Sequence, residues 1–530
     1  MSKFIKSLTR LKPVELSLSQ NVSIPSLTVV DLIAYGIAAS VGSGIHGALG
    51  TVHAAAGPAA ILSTIFASIL ALLTAFSYLE FASAIPVSGS GYVYAYTCLG
   101  ELVGMFMGWN LTLEYSFSAA VIAATWTDGF MDLFNLKDEA WYQITLVDNV
   151  FRINFLAGIL VILVGLMVLR GTKASAVFNN FITGLNLLSL ILIIIFGCFY
   201  VETDRVFSNF MPNGITGVIK GTPLMFFSYI GFDTICTLSA DAKNPKRDVP
   251  IAVLSVIGIA TFLYTTVSFI ATGMAPEIDD KNFSLANVFL ENGLKVGFYL
   301  ITAYALSAMA ATLFACLVGQ PKIFMSMADD GLLPESFSRK SKKDVAYNSL
   351  AFTIFITAIV ASLVEVERLL EFITFGCLFG FALVSASVMI LRFRKLESLK
   401  RIGPILVAIL IVGNFLVWTL CFQNIVGFKV TVGLAVLFIL CPFLVICVLF
   451  IIYRKELNVR TSSMMCPLVP LLPSLSITGN IYVIMTDINV YGFLLFIGWT
   501  LLGFAIYFLY GRTHSILGRK DNDKEMMHTK

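Results

Sequence analysis

Ala39-Ser40-Val41-Gly42-Ser43-Gly44-Ile45 lies midway along an apolar segment long enough to cross a bilayer, and Phe227-Ser228-Tyr229-Ile230-Gly231-Phe232-Asp233 lies midway along another. Four similar segments separate the two. Glycine is costly inside a helix and lets other groups approach its backbone closely. In hydrocarbon, irregular backbone survives only where it lines a cavity or is buried in protein. One such glycine cluster reads as a helix-packing surface. A matched pair at corresponding positions of two halves reads as the midplane binding site of a transporter.

Composition agrees with a membrane protein. Of 530 residues, 58% are hydrophobic and 13% charged, against roughly 25% charged in soluble domains. Only helices and closed barrels span hydrocarbon, and stretches of this length call for an all-α integral membrane protein. The net charge of +3 gives no reason to expect nucleic acid, because the basic residues sit in short loops; the partner expected is the lipid bilayer. Nine cysteines are scattered without CxxC or metal-ligand spacing, so no disulfide framework, metal site or cofactor is expected. The polar first 25 residues, with Lys3, Lys6, Arg10 and Lys12, argue against a cleavable signal peptide. His46, His53, His514 and His528 form no cluster with a nucleophile, which argues against an enzyme.

Apolar stretches of about 20 residues start near Leu27, Pro58, Tyr92, Ile153, Ala174, Thr216, Val249, Lys295, Tyr347, Leu369, Gly403, Thr431, Met464 and Val490, fourteen in all. The third reaches to about Phe130 and is expected to tilt or protrude. Taking alternate loops from the N-terminus as cytoplasmic places 27 of the 35 Lys and Arg on that side, as the positive-inside rule requires. Both termini are therefore expected in the cytoplasm. Span 1 then starts inside and span 6 outside, yet each carries the break in its middle. That is a five-plus-five inverted repeat followed by four further transmembrane helices. The organisation expected is an N-terminal segment (1–26), a first repeat (27–201), a second repeat (202–392), accessory helices (393–511) and a C-terminal tail (512–530).

The breaks carry the chemistry. Unwinding frees backbone N–H groups, and a half-helix N-terminus adds partial positive charge. Around Val41, Gly42, Ser43, Gly44 and Ile45, small residues let a carboxylate approach that backbone. Carbonyls released around Ser228, Tyr229, Ile230 and Gly231 accept from an ammonium group. An α-amino acid satisfies both. Phe232 is the candidate aromatic gate, with plain core packing as the alternative. Asp233 reads as a cap of the second half-helix, with pairing to a basic group as the alternative. Glu114 lies deep within span 3, where a charge costs roughly 2.5–3.5 kcal/mol and is functional by default. It either faces the cavity and holds a cationic side chain or joins a hydrogen-bond network with Tyr115 or Asn110. Glu80 and Asp31 lie nearer span ends, where surface solvation is expected.

The run Val41-Gly42-Ser43-Gly44-Ile45, with Glu80-Phe81-Ala82-Ser83-Ala84-Ile85-Pro86, resembles the amino acid–polyamine–organocation superfamily. Gly100-Glu101-Leu102, Gly108-Trp109-Asn110-Leu111-Thr112-Leu113-Glu114-Tyr115 and Lys243-Asn244-Pro245-Lys246-Arg247-Asp248-Val249-Pro250 resemble its cationic amino acid transporter branch. So does Asp329-Asp330-Gly331-Leu332-Leu333-Pro334, while the tail Cys466-Pro467-Leu468-Val469-Pro470, with Tyr507-Phe508-Leu509-Tyr510-Gly511-Arg512, resembles the fourteen-span members. The resemblance implies a LeuT/APC-type core and a plasma-membrane or vacuolar carrier of arginine, lysine or ornithine working by alternating access. It implies that Ser43 and Gly44 take the carboxylate, that Phe232 gates the site and that Glu114 is required. Where proton-coupled relatives carry a lysine on span 5, this chain has Asn186, which favours uniport. A monovalent cationic substrate then accumulates about 50-fold per 100 mV, since each charge gains about 2.3 kcal/mol. His46 departs from the usual aromatic or aliphatic residue at its position. The competing readings are a proton-coupled carrier of small neutral amino acids and an amino acid sensor without turnover. A channel is disfavoured, because nothing resembles a selectivity filter. Asn282-Phe283-Ser284 is a glycosylation sequon in a loop expected outside.

Overall fold

A computed structural model describes residues 7–20, 25–41, 44–134, 136, 143–147, 151–274, 285–341, 345–364, 366–422, 434, 436–457, 463–486 and 490–519. Helices α1 (Val29–Ser40) and α2 (Gly44–Ala56) share the first apolar stretch, and α3 (Ala60–Ala84) is the second. Helices α4 (Ser90–Cys98), α5 (Glu101–Thr112) and α6 (Ser118–Leu133) follow, the last two joined by a π-helical turn at Leu113–Phe117. A short antiparallel hairpin, Gln143–Val147 with Phe151–Asn154, precedes α7 (Phe155–Val168) and α8 (Thr172–Cys198). The second interrupted stretch forms α9 (Gly214–Phe226) and α10 (Asp233–Thr237). Next come α11 (Pro245–Met274), α12 (Lys295–Asp329), α13 (Tyr347–Leu363) and α14 (Val366–Phe393). The chain closes with α15 (Ile402–Phe422), α16 (Cys441–Leu457), α17 (Leu471–Thr486) and α18 (Val490–Ile506).

Among the described residues, nine helices are long and apolar enough to cross a membrane, and α1, α7, α13 and α17 are shorter apolar helices. Large apolar side chains such as Phe181, Phe262, Ile451 and Leu509 face outward. A soluble protein would bury such a surface; here it matches hydrocarbon. Inside, α1 packs against α8, α10, α11 and α12, while α2 packs against α9. The two broken helices thus sit at the centre of the bundle.

The third apolar stretch is not one long tilted helix. Helix α4 ends at Cys98 and a new helix starts at Glu101, so the excess length is a separate, wholly buried helix. Glu80 and Asp31 also depart from the solvated state expected of them. Glu80 is buried, pairs with the Arg392 guanidinium at 2.8 Å and accepts from the Cys466 backbone N–H at 3.0 Å. Asp31 closes a capping box with Thr28 at the start of α1 and accepts a hydrogen bond from the Asn180 amide.

Both ends of the described chain meet on one face. Lys12 Nζ lies 2.7 Å from Asp330 Oδ2, and the Ile516 N–H donates to the Asp330 carbonyl. Glu101 accepts from Ser515 and Tyr507 and pairs with Arg10 at 3.7 Å. On the same face, Leu27 pairs with Ala242 in a single parallel bridge, and Asp241 forms an ion pair with Lys322. The sequon at Asn282 falls outside the described residues.

Candidate functional site

Helix α1 stops at Ser40, Val41 leaves helical geometry, and α2 begins at Gly44. The last carbonyls of a helix have no intrahelical donor, and here side chains of other helices supply them. Thr312 Oγ1 donates to the Ala38 carbonyl at 2.7 Å, Tyr264 OH to Ser40 at 2.7 Å and Tyr304 OH to Val41 at 3.3 Å. In the second broken segment, α9 tightens into a 3₁₀ turn at Phe227–Tyr229, Ile230 is extended, and Gly231 takes φ +118°. Tyr264 OH also lies 2.9 Å from the Ser228 carbonyl. Its one proton is shared between the two breaks.

The breaks touch. A Cβ on Gly44 would lie 2.7 Å from Cα of Ser228, and one on Gly231 would lie 2.8 Å from Cβ of Ala39. Both glycines are required by this close crossing, and Gly231 also by its backbone conformation. The helix-packing role and the cavity-forming role of these glycines therefore coincide.

A cavity of about 430 Å³ opens at the crossing, within the range of small-molecule sites. Of the residues expected to form the site, Gly44, Glu114, Ile230 and Gly231 line it. Val41, Ser228, Tyr229, Phe232 and Asp233 are buried behind the wall, not on it. Gly42 and Ser43 lie outside the described residues, and Ile45 and His46 belong to the first turn of α2. Asn186 stands beside the span 1 break, sharing a small void with Ala38, Val41 and Tyr304, and accepts a hydrogen bond from Ser307 Oγ.

The aromatic of this segment that reaches the cavity is Phe227. Phe232 is fully buried, packed edge-on against Tyr78 at 5.8 Å and tilted against Phe381 at 5.4 Å. Four residues separate the two, and the extended link at Ile230 and Gly231 turns them to different surroundings. Asp233 holds the first position of α10, beside the N–H groups of that turn, and its Oδ2 accepts from Tyr115 OH at 2.6 Å.

Glu114 sits in the π-helical turn, a departure from regular winding common at functional sites. It lines the cavity while only 5% exposed, and among the described residues neither carboxylate oxygen accepts a hydrogen bond from an N–H or O–H group; the Asp233 carboxyl and the Cys377 thiol are its polar neighbours. The network with Tyr115 or Asn110 does not form, since Tyr115 serves Asp233 and the Asn110 amide serves the Phe106 carbonyl. Ser40 Oγ, also on the wall, is likewise buried without a partner. Apolar residues such as Val121, Ile122, Leu224 and Met309 cover much of the rest.

A sequence profile described as "Amino acid permease" matches residues 27–431, and one for the "C-terminus of AA_permease" matches residues 464–515. The chain belongs to the amino acid permease family. This permease is 28% identical to the human protein named cationic amino acid transporter 4, over 99% of this chain and 92% of that one. It is 34% identical to the methylthioribose transporter of Bacillus subtilis, over 74% of this chain and 87% of that one. A branched-chain amino acid permease of the same bacterium is 29% identical over 93% of this chain and 94% of its own. The family and these relatives are membrane transporters, not enzymes.

Sequence reasoning did not single out Ser40, Tyr264, Tyr304 or Thr312 in the permease. Each is a polar residue in an otherwise apolar stretch, and that isolation was the available signal. Which of many such residues caps a broken helix depends on the packing of helices far apart in sequence.

Proposed function

We propose that the permease carries α-amino acids with cationic side chains, such as arginine, lysine and ornithine, by alternating access. The observation that carries this reading is Glu114, a buried carboxylate on the cavity wall with no cationic partner among the described residues. An uncompensated buried charge costs several kcal/mol. A substrate ammonium or guanidinium entering the cavity is the partner that removes this cost. The carboxylate of the substrate would meet the backbone at Ser43 and Gly44, and its α-ammonium the carbonyls released beside Ile230. Phe227, on the wall, replaces Phe232 as the candidate aromatic gate.

The first ten spans would form two five-helix repeats of opposite orientation, with spans 11–14 appended and both termini in the cytoplasm of a plasma-membrane carrier. The cavity draws on α2, α9 and the start of α14, the halves remote from the face where the chain ends meet. That distribution supports an outward-facing state sealed on the cytoplasmic side. Asn186 carries an amide that does not exchange a proton near neutral pH, which supports facilitated transport driven by membrane potential.

The test is uptake of labelled arginine into proteoliposomes under an imposed potassium diffusion potential, with and without a pH gradient. Uptake following the potential and indifferent to the pH gradient supports the proposal; dependence on the pH gradient overturns the uniport. A second reading, a carrier of neutral amino acids, draws on the apolar wall formed by Val121, Ile122, Leu224 and Met309. It predicts that leucine competes better than lysine.

A further inference from the structure

Helix α17 belongs to the accessory part of the chain, beyond the residues 27–431 matched by the permease profile. It is nevertheless wedged among α3, α9, α14 and α15. A buried polar cluster fixes its position. Ser476 Oγ lies 2.9 Å from both Thr74 Oγ1 on α3 and Ser385 Oγ on α14, and the Asn480 amide donates to Thr74 Oγ1 at 3.0 Å. Tyr482 OH donates to the Ile219 carbonyl of α9 at 3.0 Å. Gly479 gives close approach to α3, since a Cβ there would lie 2.5 Å from Leu70. Such a helix is locked to two walls of the cavity and cannot slide or rotate without breaking these bonds.

Ser476, Asn480 and Val483 follow the i, i+4, i+7 spacing that places residues on one helix face. The lock is on that face, and so is the next residue along it. Val483 is 2% exposed and lines the cavity. The neighbouring helices add Leu370 and Ile373 from α14 and Leu224 from α9 to the same lining. An apolar, β-branched side chain held in place by a polar anchor is a rigid boundary. We propose that α17 is a working part of the transport site, and that Val483 sets the size of the substrate side chain the cavity admits. This rests on the reading of the cavity as the amino acid site, but not on the charge of the substrate.

The experiment measures a panel of amino acids of rising side-chain size, neutral and basic, against the full-length permease. Binding is read by ligand-induced thermal stabilisation, and transport by inhibition of labelled uptake. A change of about one methylene in an apolar pocket is worth about tenfold or more in discrimination. Val483→Phe is expected to weaken the largest substrates about tenfold relative to alanine, and Val483→Ala to favour them relative to wild type. Leu494→Ala, on the lipid-facing surface of α18, serves as the control and leaves the order unchanged. If both Val483 variants keep the wild-type size order, or lose all substrates equally, the inference is overturned. The wild type's preference between basic and neutral substrates decides the preceding proposal. The size order of the variants decides this one.

Discussion

Two sets of buried carboxyls divide the molecule. On the face where the chain ends meet, Glu80 pairs with Arg392, Glu101 with Arg10, Asp241 with Lys322 and Asp330 with Lys12. At the crossing of the broken helices, Glu114 and Asp233 have no cationic partner among the described residues, and Asp233 Oδ2 accepts from Tyr115 OH. Both sets carry the same functional group in low-dielectric surroundings. The first is neutralised within the protein and serves to hold segments together. Of the second, Asp233 lies behind the wall and Glu114 faces the cavity, where the proposed cationic substrate would complete it. Burial alone therefore does not mark a functional acid, and the proposed role of Glu114 rests on its lack of a cationic partner among the described residues.

The largest effect should come from breaking a closed pair. Arg392→Met leaves Glu80 buried without its cation, and should cost about 3–5 kcal/mol, seen as a lower thermal unfolding temperature in detergent. Adding Glu80→Gln should restore most of the loss; no recovery would mean the pair is not the unit that matters. Glu114→Gln should behave in the opposite way. It breaks no ion pair among the described residues and removes a carboxyl that faces Asp233, so stability should hold or rise, while arginine uptake falls about 100-fold, or about 3 kcal/mol. Neutral substrates should change much less, and equal loss of both classes would give Glu114 a structural role.

A smaller effect is expected where the two breaks touch. Gly231→Ala forces a Cβ against Ala39 at a positive φ and should cost about 1–3 kcal/mol, measured by unfolding, with slower uptake. The smallest contrast lies between two aromatics. Phe232→Leu removes ring packing from the core and should lower stability by about 1 kcal/mol with substrate affinity unchanged. Phe227→Leu, on the cavity wall, should shift the concentration for half-maximal uptake by a few-fold with stability intact. A reversed pattern would return the gate to Phe232.

Much of the fold was legible in the chain because hydrocarbon leaves few options. Long apolar stretches must wind into helices, and glycines clustered within them must mark close approach or unwinding. Both interruptions stand where Val41–Gly44 and Ser228–Gly231 placed them. The errors concern partners. Glu80 read as a solvated residue because Arg392, more than three hundred residues away, could not be seen. The bond from Tyr115 to Asp233 could not be seen either, because the two lie on different helices.

The composition of each segment therefore determined by itself which stretches are helical, where two of them fail to stay so, and that an acid at Glu114 is costly. Those are local properties, fixed by solvent and backbone geometry. Only the packed bundle decided which acids are neutralised, that Phe227 instead of Phe232 faces the cavity, and that Val483 of an accessory helix joins its wall. These depend on contacts between residues tens to hundreds of positions apart, which no single stretch encodes.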